Sequence, residues 1–404
     1  MDDWLSLRAR THPDHPAVVG EGFALTYAEL DRSVPALERG ELVVAPARRD
    51  LEFVRLFHAC VRHGAVLVPT DPREPRPQVG VEGVGAGEGD TVLFTSGTTA
   101  AAKAVVLTRA NHEASAIASA WNLGVAPDDR WLCVLPVHHV GGLAILWRSL
   151  IYGTTVILHE RFDPGAVNAA VERGEVTLAS LVPTMLRRMR AAGLSTAGRL
   201  RALLLGGGPV PRELLEWAMK RGLPALQTYG MTETASQIAT LRAEEAVTHH
   251  GSAGRPLLGV ELAIGDGGEI LARGPMVSAG ALADDGWLHT GDTGHLDEDG
   301  FLHLHGRLDD VIVTGGENVQ ALEVEEAVLS HPAVADAAVA GRPDREWGEA
   351  VTAWVVLATH VPDGELAAHC RARLASFKVP KAFVRVDELP RNAAGKVVRA
   401  RLSG

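Results

Sequence analysis

The sequence predicts an α/β chain (α+β overall) with a large N-terminal domain of helix-covered sheets, a small β-rich unit and a small C-terminal α+β domain. Between about residues 51 and 221, short apolar runs alternate with helix-like stretches, which is typical of parallel sheets covered by helices. After about residue 250 the pattern changes to short β-like segments with Gly and Asp at the turns. From Asp309 strands and helices alternate again, so we expect two domains, residues 1–307 and 308–404.

The predicted elements of the first domain alternate in type along the chain. We expect helices at Leu51–His63, Ala110–Asn122, Leu143–Tyr152, Pro164–Arg173, Pro183–Ala192 and Arg212–Arg221. We expect strands at Ala65–Pro69, Thr91–Phe94, Trp131–Pro136, Thr154–Leu158, Leu178–Val182 and Ala202–Leu205. The Gly-rich stretch Gly80–Asp90 is interpreted as a flexible connector that leads into the first chemical motif.

The later elements are shorter and richer in β-like patterns. Short strands are expected at Glu261–Ile264, Glu269–Ala272 and Phe301–Leu304. In the C-terminal domain we expect strands and helices to alternate along the chain, in the segments Val311–Thr314, Ala321–Ser330, Val334–Ala340, Ala350–Val356, Gly364–Ala375 and Ala382–Val386.

Composition excludes several classes of protein. Apolar residues make up 46% and charged residues 22%, so disorder is excluded as the default state. The net charge of −11 predicts no general attraction to nucleic acid or to an anionic membrane, so any phosphate binding must come from local geometry. The oligomeric state stays open, with a homodimer as one option.

Cysteine usage and hydropathy indicate in which cellular compartment the protein is expected. Cys60, Cys133 and Cys370 are widely spaced and form neither a disulfide framework nor a CxxC pair, which fits a reducing cytoplasm. The acidic, polar start is unlike a signal peptide, and no run of about 18 apolar residues predicts a membrane span.

Lysine is scarce in this chain, although Lys and Arg together number 39. Genome composition explains most of this bias, yet Arg cannot always replace a compact ammonium, so each remaining Lys is a position of interest. The lysines are Lys103, Lys220, Lys378, Lys381 and Lys396.

The first chemical motif follows the strand predicted at Thr91–Phe94. Its hydroxyls, its glycine and its following lysine are the groups that surround phosphate oxygens. They are Thr95, Ser96, Gly97, Thr98, Thr99 and Lys103. The spacing does not match GxxxxGK[ST], and a Ser/Thr-rich turn that caps the next helix is the alternative interpretation.

TSGTTAAAKAVVLT resembles the phosphate loop of the adenylate-forming superfamily (acyl-CoA synthetases, adenylation domains of peptide synthetases, luciferases), whose usual form is TSGTTG-x-PKGV. Ala100, Ala102 and Ala104 replace Gly, Pro and Gly of that form, and Ala tolerates fewer backbone angles than Gly. The resemblance implies a large domain that binds ATP, a small mobile C-terminal domain, and ATP, Mg²⁺ and CoA as ligands.

Two further motifs follow strands. LPVHHVGG resembles the family's aromatic-His motif, which implies that His139 lies beside the acyl pocket; His138 replaces the aromatic residue. A metal site at this pair is disfavoured because adjacent side chains diverge and no nearby Cys or acid completes it. LGGGP resembles the small-residue turn against adenine and acyl chain, which implies contacts at Gly207 and Gly208; a plain tight turn is the alternative.

QTYGMTET matches the family motif YGxTE. The resemblance implies that Tyr229 flanks the adenine and that Thr232 donates to the α-phosphate. It also implies that Glu233 holds Mg²⁺, which takes a carboxylate together with phosphate oxygens and waters. A turn with a helix cap is the alternative for this tetrapeptide alone.

The motifs of the second half complete the resemblance. In the TGD and GRLDD motifs, Asp292 is implied to bind both ribose hydroxyls, Arg307 to add a ribose or phosphate contact, and Asp309 to serve as the domain hinge. The loop TGGEN, with Gly315, Gly316 and Glu317, is implied to line the thiol tunnel in the second half-reaction.

The last motif is PRNAAGK. The resemblance implies that Lys396 bridges the substrate carboxylate and the α-phosphate as negative charge develops. Lys378 and Lys381, in SFKVPK, are interpreted as surface charge near the phosphates of CoA, and Lys220 as a solvated helix residue.

YGMTETASQI is similar to the corresponding run of ortho-succinylbenzoate–CoA ligases of menaquinone biosynthesis, AMP-forming ligases that adenylate the acid and pass the acyl group to CoA. Ser236 and Gln237 are candidates for a second carboxylate or a ketone on the acid, or they pack the next segment. A CoA ligase for another aryl or fatty acid, and a non-catalytic adenylate-binding homologue, are the alternatives.

Overall fold

A computed structural model describes residues 3–73, 87, 90–95, 103–208, 210–391 and 397–402 of the chain. The chain forms two compact units, which we describe separately. The first unit comprises Met1–Gly207, Leu214–Leu262 and Ala272–Leu288, and the second comprises Gly208–Glu213, Ala263–Leu271 and His289–Gly404.

Helices and strands alternate along most of the described chain. The helices are α1 (Trp4–Thr11), α2 (Tyr27–Ser33), α3 (Leu51–His63), α4 (Arg109–Leu123), α5 (Val140–Tyr152), α6 (Pro164–Glu172), α7 (Pro183–Ala191), α8 (Arg212–Lys220), α9 (Ala321–Leu329) and α10 (Asp363–Arg371).

The strands of the first half are β1 (Pro16–Gly20), β2 (Phe23–Thr26), β3 (Leu42–Pro46), β4 (Val66–Thr70), β5 (Thr91–Thr95), β6 (Lys103–Leu107), β7 (Arg130–Cys133), β8 (Thr155–Leu158), β9 (Leu178–Leu181), β10 (Ala202–Leu205), β11 (Ala225–Met231) and β12 (Ser236–Thr240). The remaining strands are β13 (Arg255–Pro256), β14 (Glu261–Ile264), β15 (Glu269–Arg273), β16 (Leu288–Leu296), β17 (Leu302–Arg307), β18 (Val311–Thr314), β19 (Glu317–Gln320), β20 (Val334–Asp344), β21 (Gly348–Leu357) and β22 (Ala382–Arg385).

A nine-stranded sheet in the order β13-β12-β11-β10-β9-β7-β8-β1-β2 forms the centre of the first unit. Its middle pairs, from β11 across to β1, are parallel, and its outer pairs are antiparallel. Every residue of β8, β9 and β10 is buried, as expected for parallel strands covered on both faces by helices. The predicted fold class is confirmed.

A second sheet of the first unit, in the order β3-β4-β5-β6, carries the first chemical motif. Strand β5 pairs with β6 in antiparallel register, with Thr95 opposite Lys103. The motif therefore connects two strands of a hairpin, and the alternative interpretation as a cap of the next helix is wrong. Sequence patterns missed β6 because its apolar run follows the alanines without a turn signal.

The second unit contains a five-stranded sheet in the order β19-β18-β21-β20, with β22 added beside β21. Helices α9 and α10 pack together over a core that includes Val324, Val339, Val355 and Leu366. A four-stranded sheet, in the order β14-β15-β16-β17, contains the predicted short β segments. The part of the chain that the structure describes contains no helix long and apolar enough to cross a bilayer.

Candidate active site

The YGMTE motif forms the turn of an antiparallel hairpin between β11 and β12. A Cβ on Gly230 would lie 1.8 Å from the carbonyl oxygen of Ser236, so only glycine allows the two strands to approach this closely. Ala235 and Ser236 have positive φ angles of 49° and 111°, which are strained for residues with side chains. Strain of this kind, held in place by the surrounding structure, concentrates at functional turns.

Two hydrogen bonds from Ser278 fix the position of this turn. Its backbone N–H donates to the Glu233 carbonyl oxygen at 2.8 Å, and its hydroxyl donates to the Val106 carbonyl oxygen of β6 at 2.7 Å. Asn111 of α4 donates its side-chain amide to the carbonyls of Pro275 and Val277, at 2.8 and 3.1 Å. The turn is thereby connected to the strand that begins with Lys103. No sequence motif pointed to Ser278.

The Thr232 hydroxyl and the Glu233 carboxylate are half-buried, and neither has a partner among the described side chains and backbone groups. A single carboxylate fits Mg²⁺ bound with a nucleotide, because that ion takes most of its remaining ligands from phosphate oxygens and water. Glu233 would supply the protein oxygen, and the ion would neutralise developing phosphate charge.

The phosphate-loop residues are described only at the ends of the loop. The Thr95 hydroxyl lies 3.4 Å from the Lys103 carbonyl oxygen, and the Lys103 side chain is exposed at the start of β6. Four predicted residues of this loop and the predicted catalytic lysine lie outside the described residues: Ser96, Gly97, Thr98, Thr99 and Lys396. Most of the connector Gly80–Asp90 also lies outside them.

The GGGP turn approaches Thr228 of β11 closely. A Cβ on Gly206 would lie 2.8 Å from Thr228 Cγ2, and Gly207 has a φ of +76°, so both positions favour glycine. A Cβ on Gly208 would meet nothing within 4 Å, so Gly208 is not required by packing. The Gln237 side-chain amide donates to the Thr228 hydroxyl at 3.0 Å. Gln237 therefore contacts the same residue of β11 that the glycine turn approaches.

A group of polar side chains lies inside the first unit, where α4 packs against α5 and β12. Gln237 Oε1, His112 Nε2, and Nε and Nη2 of Arg148 are buried and have no hydrogen-bond partner in the described structure. Arg148 is 2% exposed and lies 5.4 Å from the Trp131 ring centroid, with no ion pair to any described residue. An unpaired buried guanidinium is costly, which makes Arg148 a candidate to bind an anionic group.

His112 borders the same interior and is neutral there. Its ring stacks on Trp147 with centroids 4.7 Å apart, and burial, helped by nearby Arg148, lowers the pKa of His112 to about 3. Sequence reasoning missed His112 and Arg148. The signal for Arg148 was a single charge in the otherwise apolar helix VGGLAILWRSLIY.

His139 precedes the first residue of α5, and its ring centroid lies 4.3 Å from that of His138. Asp71, distant in sequence, brings its Oδ2 to 3.8 Å from His138 Nε2, so an acid does lie near the pair. Burial lowers the pKa of His138, and the nearby Asp71 carboxylate opposes that shift. Within the described ranges no group of three or more His, Cys, Asp or Glu side chains is arranged to hold a metal ion.

In the second unit, Asp292 and Arg307 lie opposite each other on β16 and β17, with Nη1 and Oδ1 3.1 Å apart. The carboxylate of Glu269 lies 2.9 Å from His289 Nδ1 and accepts a hydrogen bond from the Gly291 backbone N–H, also at 2.9 Å. Glu269 therefore supports the TGD turn, a role that sequence reasoning did not assign.

The hairpin between β18 and β19 turns through Gly315 and Gly316, with φ angles of 59° and 84°. Two successive positive φ angles are typical of a tight hairpin turn and favour glycine at both positions. The Gly315 N–H donates to the Trp347 carbonyl oxygen at 2.8 Å, and the Trp347 ring lies 4.3 Å from Lys381 Nζ. Glu317, the next residue, is exposed.

The predicted hinge residue Asp309 is exposed in a short 3₁₀ turn, Leu308–Asp310, and its carboxylate has no partner among the residues described. Lys378, interpreted from sequence as surface charge, forms an ion pair with Glu323 at 2.6 Å.

Chemically, the first unit places a hydroxyl and a carboxylate without partners on one rigid turn, tied to the strand that begins with a lysine. That set suits a nucleotide with its metal ion. The buried guanidinium on α5 suits the carboxylate of an organic acid.

Comparison with known proteins gives the same assignment along the whole chain. The model of the AMP-binding enzyme family matches residues 87–282, and the model of the AMP-binding enzyme C-terminal domain matches residues 323–396. A 2-succinylbenzoate–CoA ligase from Bacillus licheniformis is 38% identical over 472 aligned positions, which cover 99% of both chains. This alignment is longer than the 404 residues, so the relative has segments that this chain lacks.

Comparison with solved structures supports the same family assignment. The o-succinylbenzoate CoA synthetase (MenE) from Bacillus subtilis, in complex with the acyl-adenylate intermediate OSB-AMP, has a TM-score of 0.88 at 35% identity and covers 100% of this chain and 98% of that chain. The same enzyme with ATP and a magnesium ion also has a TM-score of 0.88 at 35% identity, with coverages of 100% and 99%. The resemblance indicated by the motifs is confirmed.

We predict that Gly230→Ala destabilises the fold, because the added Cβ forces the β11–β12 hairpin apart at the Ser236 carbonyl. The free energy of unfolding, measured by chemical denaturation, should fall by about 1–3 kcal/mol or more. Gly280→Ala is the matched control, since a Cβ there meets nothing within 4 Å. Equal stability of the two variants would contradict the close approach.

We predict that His112→Phe reduces the acid sensitivity of stability. The unfolded chain takes up the His112 proton near pH 6.5, whereas the folded chain does so only near pH 3, so protonation favours unfolding as the pH falls between these values. Denaturation at pH 7 and pH 4.5 should show a smaller loss for His112→Phe than for the wild type. His12→Phe, at an exposed position, should keep the wild-type loss; a wild-type loss in His112→Phe contradicts the assignment.

Proposed function

We infer that this chain, which belongs to the AMP-binding enzyme family, is an ATP-dependent acid–CoA ligase that converts ortho-succinylbenzoate to its CoA thioester, a step of menaquinone biosynthesis. The observation that carries the proposal is the turn of the β11–β12 hairpin, where the side chains of Thr232 and Glu233 have no partner among the described residues and the backbone is fixed by Ser278. Full-length likeness to ligases of this acid supports it.

The reaction has two half-reactions. A carboxylate oxygen of the acid attacks the α-phosphorus of ATP, the bond to the β-phosphate oxygen breaks, and pyrophosphate leaves. The CoA thiolate then attacks the acyl carbon, the bond to the phosphate oxygen of AMP breaks, and AMP leaves with the acyl-oxygen electrons. ATP, Mg²⁺ and CoA are thus the required ligands.

Each predicted residue has a proposed task in the first half-reaction. Thr232 donates to the α-phosphate, Lys103 and the loop before it bind the outer phosphates, and Glu233 supplies an oxygen ligand for Mg²⁺. Lys396 orients the attacking carboxylate against the α-phosphate as charge develops. Tyr229, Gly207 and Gly208 border the adenine, and Asp292 with Arg307 binds the ribose.

The second half-reaction uses the small domain differently. We propose that residues 308–404 rotate about Asp309 after adenylation, which withdraws Lys396 and brings in the turn of Gly315, Gly316 and Glu317. The exposed carboxylate of Asp309, which has no partner among the described residues, supports a hinge there.

The buried cation on α5 supports an acid with two carboxylates. Arg148 has two N–H-bearing nitrogens without partners and no described counter-ion, and ortho-succinylbenzoate retains one carboxylate after the other is activated. We propose that Arg148 binds this second carboxylate and that Gln237, Ser236 and His139 border the acid. A simple fatty acid has no second carboxylate for Arg148 to bind, so a ligase for fatty acids is the less well supported alternative.

A non-catalytic adenylate-binding homologue is the alternative from another class. Retention of Lys103, Glu233, Asp292 and Lys396 disfavours it. Incubation with ATP, Mg²⁺, CoA and ortho-succinylbenzoate should yield AMP and thioester, and no AMP release with any acid of a panel would favour the binding protein.

We place the reaction in the cytoplasm, which the free, buried thiols of all three cysteines support.

We predict that Lys396→Ala abolishes adenylation, measured as pyrophosphate release, and leaves thioester formation from supplied acyl-adenylate largely intact. The ammonium is needed only while the carboxylate attacks the α-phosphate. Lys220→Ala, on the surface of α8, is the control and should change neither rate. An equal loss of both half-reactions in Lys396→Ala would overturn the proposed task of this lysine.

We predict that Arg148→Met raises the KM for ortho-succinylbenzoate by roughly 10- to 100-fold, the effect expected when a charge-assisted hydrogen bond is lost. An analogue that lacks the benzoate carboxyl should show little change. Met keeps the volume without leaving a buried charge, so the fold should persist. Arg188→Met is the control, because it removes an arginine of α7 that lies over the Phe162 ring. Equal KM changes for both acids would exclude the ion pair.

A further inference from the structure

We propose that His295 and His305 are positioning residues for nucleotide binding: a hydrogen bond between their rings holds the β-bulge that places Arg307 opposite Asp292, and this bond is lost when both rings are protonated. The inference rests on the proposed function, because it concerns the pair assigned to the ribose of ATP. All residues that carry it belong to the second unit.

The pairing of β16 with β17 contains one irregularity, close to the proposed ribose pair. The register shifts by one between Thr293 and Gly294, which leaves His305 of β17 without an opposite residue. A strand with one such extra residue has a β-bulge, which bends the strand and re-aims nearby side chains. The second pair beyond the bulge is Asp292 with Arg307, so the bulge determines how these two side chains face each other.

One side-chain hydrogen bond joins the bulged residue to the opposite strand. His305 Nε2 lies 2.8 Å from His295 Nδ1, and the His305 side chain makes no other hydrogen bond to a described residue. Such a bond needs an N–H on one ring and a bare nitrogen on the other, which two neutral rings, or one neutral ring and one cation, supply. Two imidazolium rings cannot form it, because both facing nitrogens then carry hydrogens and the two charges repel.

A third histidine supports the orientation of His295. The His303 ring stacks on His295 with centroids 4.8 Å apart and an interplanar angle of 12°. His303 Nε2 lies 2.9 Å from Asp297 Oδ2, and this contact lowers the pKa of the Asp297 carboxyl. A carboxylate thus fixes the ring of His303, and the stacked ring limits rotation of the His295 side chain.

The charges around His305 favour its neutral form. Partial burial, together with His295 and His303, lowers the pKa of His305, and the Glu323 carboxylate on α9 opposes that shift. Glu323 is itself paired with Lys378 at 2.6 Å. The hydrogen bond therefore persists at neutral pH and breaks as the pH falls below the ordinary histidine pKa of about 6.5.

Strand β17 packs against β16, α9 and β19. Most of the other charged groups on these elements have partners: Asp292 contacts Arg307, Glu325 contacts Arg399, and His289 contacts Glu269. Glu317 and Glu326 are exposed. The two facing rings are therefore the groups on this hairpin whose contact changes between pH 7.5 and pH 5.

Loss of this bond affects binding of the nucleotide more than the chemical step. Arg307 lies two residues beyond His305, and its Nη1 lies 3.1 Å from Asp292 Oδ1. Once His305 is released, Arg307 and Asp292 are no longer held in one arrangement for the ribose hydroxyls. The groups proposed to act on the α-phosphate and on Mg²⁺, Thr232 and Glu233, belong to the first unit, so we expect kcat to be nearly unchanged.

The test compares three variants of the full-length chain with the wild type. His305→Ala removes the ring, whereas His305→Gln supplies an oxygen that can accept the His295 N–H and does not titrate. His360→Ala is the matched control, because it removes an exposed histidine of the same unit that is not part of the hairpin.

Pyrophosphate release at saturating acid gives kcat and the KM for ATP at pH 7.5 and pH 5. The same measurement with 2′,3′-dideoxy-ATP, which lacks both ribose hydroxyls, separates ribose binding from a general effect on the fold. NMR of ¹⁵N-labelled histidine rings reports the protonation of the two facing nitrogens directly.

We expect His305→Ala to raise the KM for ATP at pH 7.5 by roughly three- to tenfold, the effect of one lost hydrogen bond, with kcat changed by less than about twofold. Between pH 7.5 and pH 5 the KM of the wild type should rise by about the same factor relative to His305→Gln. At pH 7.5 the KM of His305→Gln should lie between those of the wild type and His305→Ala. His360→Ala should match the wild type at both pH values.

Three results would overturn the inference: equal KM values for ATP in the wild type and His305→Ala at pH 7.5, the same pH-dependent rise in the wild type and His305→Gln, or an equal rise for ATP and 2′,3′-dideoxy-ATP in His305→Ala. A wild-type protein that releases no pyrophosphate with ortho-succinylbenzoate refutes the proposed function instead. The dissociation constant for ATP in the same four proteins then replaces KM and decides the inference.

Discussion

The close approach of Gly230 to the Ser236 carbonyl is the constraint on which the candidate site of the first unit depends. It forces the chain to reverse within a few residues and places two non-glycine residues at positive φ. The reversal leaves the Thr232 hydroxyl and the Glu233 carboxylate pointing away from the hairpin's own hydrogen bonds. Ser278 and Asn111 then connect this turn to β6 and α4, so that loops distant in sequence share one rigid support.

Much of the fold and many of the site residues could be predicted from the sequence, because the relevant signals are local. Apolar runs predicted several parallel strands to within one residue, as at Ala202–Leu205, and short motifs identified the turn of Thr232 and Glu233. The predicted strand Trp131–Pro136 ends at Cys133 instead, and the strands β1, β3 and β11 were missed. What could not be predicted depends on pairing between distant segments. Strand β6 is defined by its partner β5, and Ser278 matters only because Glu233 and Val106 converge on it.

Two arginines, the buried Arg148 and the partly buried Arg399, show a similar limit for electrostatic interactions. Arg399 meets two carboxylates and a carbonyl, whereas Arg148 meets an indole ring and no described carboxylate. In sequence Arg148 is a single charge in an apolar helix, whereas Arg399 lies between Lys396 and Arg401. Only the folded chain shows that Arg399 is balanced by carboxylates and that Arg148 has no described counter-ion, which is why we propose a ligand for Arg148 alone.

The stacking of His112 on Trp147 also has an optical consequence. An indole in contact with a neutral imidazole fluoresces differently from one beside an imidazolium or an added anion, and Trp131 lies against the guanidinium of Arg148. Two of the eight tryptophans therefore contact side chains near the proposed site of the second carboxylate. The chain contains its own spectroscopic reporter, and binding of the acid at Arg148 can be followed by tryptophan fluorescence without any label.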